Sequence, residues 1–177
     1  VSSEQVWKIV ANADTRKMIR MTPEEASNFL DSAMNAALAT IDRDGYPHLV
    51  AMSFARDTNG DIVMTSFGKA QKVLNLRRNP RAAVMVDRGV AYDKLQGVMI
   101  RGRAEIVEDR DAVLAAMRLV MRKQARLAGR GDLAEGGEIS ETYRRQAAKR
   151  VAIRIKPEKW ASWDHAKIAA ASHARAE

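Results

Sequence analysis

"TSFGKAQKVLNLRRNPRAAVMV", residues 65–86, places two short apolar runs on either side of a strongly basic connection. Lys69, Lys72, Arg77, Arg78 and Arg81 fall within it, and no acidic residue does. Gly68 ends the first run as a strand. A helix of about nine residues follows, with Val73, Leu74 and Leu76 able to cover a sheet, and Pro80 disfavours helix at Asn79 and stops it. The charge has two readings. A connecting helix usually carries such residues on a solvated face. Alternatively, Lys69 and Lys72 are neighbours on the first turn, where free backbone N–H groups already favour an anion. Thr65 and Ser66 would add hydroxyl donors at the strand end. Neither a G-x-x-x-x-G-K-[ST] loop nor a G-x-G-x-x-G fingerprint is present. These residues alone leave both readings open.

Working outward, the flanking pattern is β. "AALATID", "YPHLVAMSFAR" and "DIVMTSF" alternate with period two and are separated by Asp44-Gly45 and Asn59-Gly60, both strong hairpin signals. "RAAVMVD" gives a fourth strand and "LQGVMIRGRAEIVE" a fifth, with Val98, Ile100, Ala104 and Ile106 on one face and Arg101, Arg103 and Glu105 on the other. "RVAIRIKP" is the sixth, with Val151, Ile153 and Ile155 inward and Arg150, Arg154 and Lys156 outward. Helix is predicted over 22–33, where Thr22 is the N-cap, Pro23 takes the first position and Glu24 and Glu25 complement the positive end. "VWKIVANA" is a short amphipathic piece before it. A second long helix covers 110–128, with Val113, Met117, Val120 and Met121 inward and Arg118, Arg122 and Lys123 outward. Residues 128–138 form a loop and 140–149 a short helix. The expected fold is therefore mainly β with helices (α+β), a six-stranded antiparallel barrel, closed or partly closed. It divides into an N-terminal helical segment (1–33), a barrel domain (34–164) and an Ala-rich tail (165–177).

Composition narrows the function. No cysteine is present, which excludes disulfides and thiolate metal sites. No apolar run approaches the roughly 20 residues that span a bilayer, and no signal-peptide core is seen, so a cytoplasmic protein without membrane association is expected. The net charge of +8 favours anionic partners. Nucleic acid is disfavoured among them, because 5% aromatic content leaves few stacking platforms.

The order "ALATIDRDGYPHLVAMSF", "DIVMTSFGKAQKVLNLRRNPRAAVMV" and "GVMIRGRAEIVED" resembles the pyridoxamine 5'-phosphate oxidase-like FMN-binding split-barrel family. It is most similar to the actinobacterial flavin/deazaflavin-dependent oxidoreductase branch. The similarity covers about 34–108, and "RVAIRIKPEKWASWD" matches the closing strand and its tail. The resemblance implies a homodimer with the cofactor in a groove between subunits. It places the cofactor phosphate at the start of the helix after strand three, hence at Lys72, with Gln71 and Lys69 beside it. The ring would run along Pro47, His48, Ala51 and Met52, then Thr65 and Ser66. The cofactor implied is the deazaflavin coenzyme F-420, whose acidic tail suits the spare Arg77, Arg78, Arg101 and Arg103, or alternatively FMN. The expected activity is hydride transfer to a small organic substrate, with no side-chain nucleophile. A non-catalytic module binding or sequestering flavin, deazaflavin or haem is the alternative. The Arg-rich ending of pyridoxamine-phosphate oxidases proper is absent, which argues against that activity.

Remaining residues carry less. His165 and His173 lack companions at ligand spacing, so no metal site is expected. Trp160 and Trp163 read as an apolar plug on the barrel or dimer surface. Arg101 and Arg103 would pair across strands with neighbours such as Glu105.

Overall fold

A strand whose inward residues are apolar must pack its alternate positions against other strands, and the β-type segments do so as one curled sheet. The computed structural model describes residues 13–131 and 141–168. Strand β1 (Asn35–Ile41) pairs with β2 (Pro47–Ser53) along its full length. Strands β3 (Ala55–Arg56), β4 (Ile62–Phe67), β5 (Arg81–Arg88), β6 (Gln96–Val107) and β7 (Arg150–Asp164) complete the sheet. Their order is β2-β1-β5-β6-β7-β4-β3, antiparallel throughout.

Seven strands replace the expected six because the second breaks at Phe54. Phe54 lies between β2 and β3 and pairs with no strand, and its side chain is fully buried in the barrel core. The chain kinks there. Its first half stays with β1, while its second pairs with β4 through Ala55–Val63 and Arg56–Ile62. Among the described residues β2 thus has no second neighbour, and neither has β4 from Met64 to Phe67. Between them the barrel is split.

Both turns are built by an aspartate. Asp42 Oδ1 accepts from the Asp44 and Tyr46 N–H groups, and Asp57 Oδ1 from those of Asn59 and Asp61. Only Gly45 and Gly60 take positive φ (89° and 83°), whereas Asp44 and Asn59 do not. The loops are therefore one residue longer than the tightest hairpins, which need positive φ at two positions.

Helix α1 (Ala13–Met18) and α2 (Pro23–Ser32) precede the sheet. In α2 the expected cap is present as a reciprocal pair, Thr22 Oγ1 accepting from Glu25 N and Glu25 Oε2 from Thr22 N. Lys167 and that Thr22 N–H hold the Glu25 carboxyl below its ordinary range. Ala26, Phe29 and Leu30 of α2 enter the barrel core beside Leu38, Phe54, Met64, Val84, Val98, Ile153 and Ile155. Helix α3 (Gln71–Arg78) plugs the barrel with Val73 and Leu76; Leu74, also expected to cover it, is exposed. Helix α4 (Arg110–Leu127) covers the opposite face of β4 and β7, packing Val113, Ala116 and Met117 on Val63 and Ala152. Helix α5 (Glu141–Ala147) follows. Most of "VWKIVANA", residues 132–138 of the expected loop and 169–177 of the tail lie outside the described residues.

Two expectations fail here. The last strand runs past Pro157 to Asp164, so Trp160 and Trp163 belong to it; Trp163 lies over Gly97, where an added Cβ would overlap the indole. Lys123, expected on the solvent face of α4, is only 7% exposed. Its Nζ donates to Leu30 O at 2.8 Å and sits 3.5 Å from the centre of the Phe54 ring. A carbonyl at a helix end and an aromatic face give the ammonium two partners that periodicity does not reveal.

Burial lowers the Lys123 pKa from 10.5 to about 8, against the raising influence of Asp31, with Arg56 and Arg126 lowering it further. Between those values the unfolded chain binds more protons than the folded one, so raising the pH favours the fold. Stability should therefore climb as pH rises from about 8 toward 10.5, and Lys123→Met should remove that part of the slope. Urea unfolding at pH 7.5 and 9.5 measures it. Identical slopes in both proteins would refute the assignment.

Candidate cofactor groove and chamber

The split between β2 and β4 widens away from the Phe54 kink, and α3 begins just beyond the wide end of β4. There Lys72 Nζ reaches Ser66 Oγ at 3.4 Å. Lys72 is half-buried, Lys69 is exposed, and neither meets a carboxylate among the described residues. Ala70 precedes the helix without a side-chain cap, so the first N–H groups lack that partner.

Gln71 serves a different purpose. Its Nε2 donates to Asn75 Oδ1 at 2.8 Å, and Asn75, fully buried, donates from Nδ2 to Thr40 Oγ1 at 3.0 Å. Arg78 completes this group by donating to Asn75 Oδ1 and Ile41 O. Arg77 donates to Glu108 and to Gly68 O. Two of the four arginines read as spare thus fix α3 to the sheet.

Arg101 and Arg103 make no ion pair with Glu105, contrary to expectation. Glu105 stands opposite Arg154, whose own partner is Asp57 at 3.6 Å. Instead, like charges face one another across three strands. Arg81, Arg103 and Lys156 form one row, and Arg101 and Lys159 belong to the next. Such opposition is destabilising without an intervening anion, and Glu158, unpaired between Pro157 and Lys159, is the one carboxylate among the described residues that lines the same depression as Arg81, Arg101 and Lys159.

The β2 residues divide by pleat. His48 and Met52 share the inward side with Val50, and Pro47 and Ala51 share the outward side with the exposed Leu49. His48 Nδ1 is shielded from solvent and has no hydrogen-bond partner among the described residues, so the split retains a buried polar atom to satisfy. Free strand edges, an unpartnered imidazole nitrogen and the Lys72–Ser66 pair suit a flat heteroaromatic ring with a phosphate at one end.

Beside the split lies a cavity of about 320 Å³. Ala51, Met52 and Ser53 of β2 and Thr65 of β4 form its floor, so three expected groove residues meet there. Helix α4 supplies Met117, Val120, Met121 and Gln124, while Tyr143, Gln146 and Arg150 close the end. Sequence reading did not single out these last residues as functional. Arg150 falls in phase with the outward side of β7, and only the packing of α4 on that side makes the position half-enclosed. Ser53 Oγ accepts from Gln124 Nε2 and donates to Asn35 Oδ1, fixing helix to strand at the cavity edge. Among the described residues no cluster of His, Asp or Glu could hold a metal, and no helix is long and apolar enough to cross a membrane.

Comparison with known proteins agrees with this geometry. The chain is similar over 87% of its length to the conserved hypothetical protein Rv2991 from Mycobacterium tuberculosis, with 34% identity, 91% of that chain covered and a TM-score of 0.72. An F-420 reductase is 26% identical, with 78% of this chain and 98% of that one covered and a TM-score of 0.55. An FAD-binding protein from Mesorhizobium loti shares the fold at 22% identity, over 80% of this chain and 94% of that one, with a TM-score of 0.57. No curated sequence matches. The family model described as pyridoxamine 5'-phosphate oxidase matches residues 22–164, from the cap of α2 to the end of β7. Fold, split and match agree: the chain belongs to the pyridoxamine 5'-phosphate oxidase-like FMN-binding split-barrel family.

Proposed function

We propose that the protein is an oxidoreductase that uses the deazaflavin coenzyme F-420, with FMN as the alternative cofactor, to reduce a small organic substrate. The observation that carries this reading is the Lys72–Ser66 pair, without a carboxylate partner, at the wide end of a split in a family member. A solvated helix face would not need a half-buried ammonium reaching back to a buried serine.

Bound in the split, the reduced cofactor would supply the hydride. The protein's own contribution is placement. Lys72, the Ser66 hydroxyl and the first N–H groups of α3 would hold the phosphate, with Lys69 adding charge from solvent. The unpaired edges of β2 and β4 would offer main-chain donors and acceptors to the ring, and His48 Nδ1 would gain a partner. Helix α4 would exclude water from the side where substrate sits. Pro47, Ala51, Met52 and Thr65 would set the ring's position by contact. Gln71 would act through Asn75, by keeping α3 in register.

The rows of opposed cations favour F-420 over FMN. A single phosphate uses Lys72 alone, whereas an acidic tail can lie between Arg81, Arg101, Arg103, Lys156 and Lys159 and relieve their repulsion. A second copy of the chain fits the same outer face. Ala51, Ala37 and Met85 form one row across β2, β1 and β5, and Leu49, Ala39 and Ala83 the next. Leu49 is 63% exposed and Met85 38%. A flat apolar sheet face of this kind is what a dimer buries. A cytoplasmic setting belongs to the same proposal. A non-catalytic binding protein is distinguished by tight cofactor binding without turnover.

Lys72→Ala should weaken F-420 binding by about 10- to 150-fold, corresponding to roughly 1.5–3 kcal/mol for a charged hydrogen bond. Fluorescence titration with F-420 and FMN checks this, and an unchanged dissociation constant would refute the phosphate site. Leu49→Arg should convert a dimer into a monomer by light scattering while leaving the melting profile cooperative. A wild-type monomer would remove the dimer from the proposal.

A further inference from the structure

The chamber beside the split contains a guanidinium that no carboxylate answers among the described residues. Arg150 opens β7 opposite Phe67 at the end of β4, and its guanidinium lies 4.4 Å from the centre of that ring. Its Nε is shielded from solvent, and among the described residues it has no hydrogen-bond partner and no carboxylate pairs with the guanidinium. The Phe67 ring holds the planar group in place without satisfying its N–H donors. Among the described residues no aspartate or glutamate lines the chamber. The remaining lining is apolar on one side, from Met117, Val120 and Met121, and amide or hydroxyl on the other, from Gln124, Gln146, Ser53 and Thr65.

A half-buried guanidinium with a shielded, unpaired N–H is costly to maintain. Arginines satisfied inside this protein show the contrast: Arg56 is bidentate with Asp31, Arg77 binds Glu108, and Arg78 binds two acceptors at the end of β1 and within α3. Arg150 has only an aromatic face behind it and a cavity in front. The volume, about 320 Å³, is at the small end of the range for organic ligands.

We propose that this chamber is the substrate site and that the substrate is a small organic acid. Its carboxylate, or an equivalent anionic group, is held by Arg150, and its apolar body packs on Met117, Val120 and Met121. The methionines tolerate varied shapes, while the guanidinium fixes one end by a planar two-point contact. Selection among acids then comes from the apolar end, and neutral analogues lose the anchor. The assignment of the bound acid as substrate rests on the cofactor reading above, but the anion site itself does not.

The test uses 8-anilino-1-naphthalenesulfonate, an anionic apolar probe, and its uncharged relative N-phenyl-1-naphthylamine, titrated against the full chain. Arg150→Gln should weaken the sulfonate by at least tenfold and the neutral probe by less than twofold, with Arg150→Lys intermediate. Gln146→Glu, an exposed position that sets a carboxylate beside the chamber, should weaken the sulfonate alone; because it does not touch the core, it keeps the test valid if Arg150→Gln fails to fold. Equal losses for both probes, or none, would overturn the proposal. F-420 is titrated against the same variants. An unchanged dissociation constant supports a substrate anchor, whereas a parallel loss would give Arg150 to the cofactor's acidic tail and overturn it. If the wild type binds neither F-420 nor FMN yet shows the Arg150-dependent discrimination, the cofactor reading fails and the organic-acid site stands.

Discussion

The kink at Phe54 governs the rest of the structure. A seven-residue strand that continued straight would keep β1 as its only neighbour, and β4 would have no hairpin partner. Turning at Phe54 lets the chain close one end of the barrel through β3 while leaving the other end open. Phe54 enters the barrel core at the turn, and α4 clamps it from outside. Lys123 lies on the Phe54 ring and reaches Leu30 O, and Gln124 holds Ser53. The same helix walls the chamber. Opening the split and enclosing the space beside it are therefore one packing decision.

That coupling explains why a lysine is buried where leucine would be easier to accommodate. An apolar residue at 123 could cover Phe54 but would leave the α2 terminal carbonyl without this donor. The ammonium reaches both, tying the helix before the sheet to the helix after β6. The charge is tolerated because Asp31 lies near and Leu30 O accepts directly, although burial still disfavours it. Conformational precision at the kink is the compensating gain.

Much of this was legible in the sequence because the signals were local. Period-two alternation located the strands, the aspartate–glycine and asparagine–glycine pairs located the turns, and the Thr22–Glu25 spacing located a helix start. The basic junction led to Lys72 and Ser66, which do meet. What could not be read depends on contacts distant in sequence. Phe54 looked like one more strand residue until two neighbours competed for the chain around it. Lys123 looked solvated because helical periodicity assigns a face without knowing which carbonyl lies beyond it. Arg77 and Arg78 looked spare, yet their partners Glu108 and Ile41 stand 31 and 37 residues away. Arg150 looked like ordinary outward charge on a strand, since nothing local reveals that α4 and α5 enclose that end of β7.

Net charge, then, is a poor guide until each cation is sorted by its partner. Arg56, Arg77 and Arg78 belong to the scaffold, because acidic or carbonyl oxygens already satisfy them. Lys72, Arg150 and the opposed rows on β5, β6 and β7 make no ion pair among the described residues and occupy three distinct places: the wide end of the split, the chamber and the outer sheet face. Folding alone gives no reason to concentrate uncompensated charge at those places and pair it elsewhere. Each placement raises the energy of the free protein locally, and each is relieved by an anion of matching shape. A phosphate at Lys72, an acidic tail on the strand rows and a carboxylate at Arg150 would together answer the charge at these three places with one cofactor and one substrate.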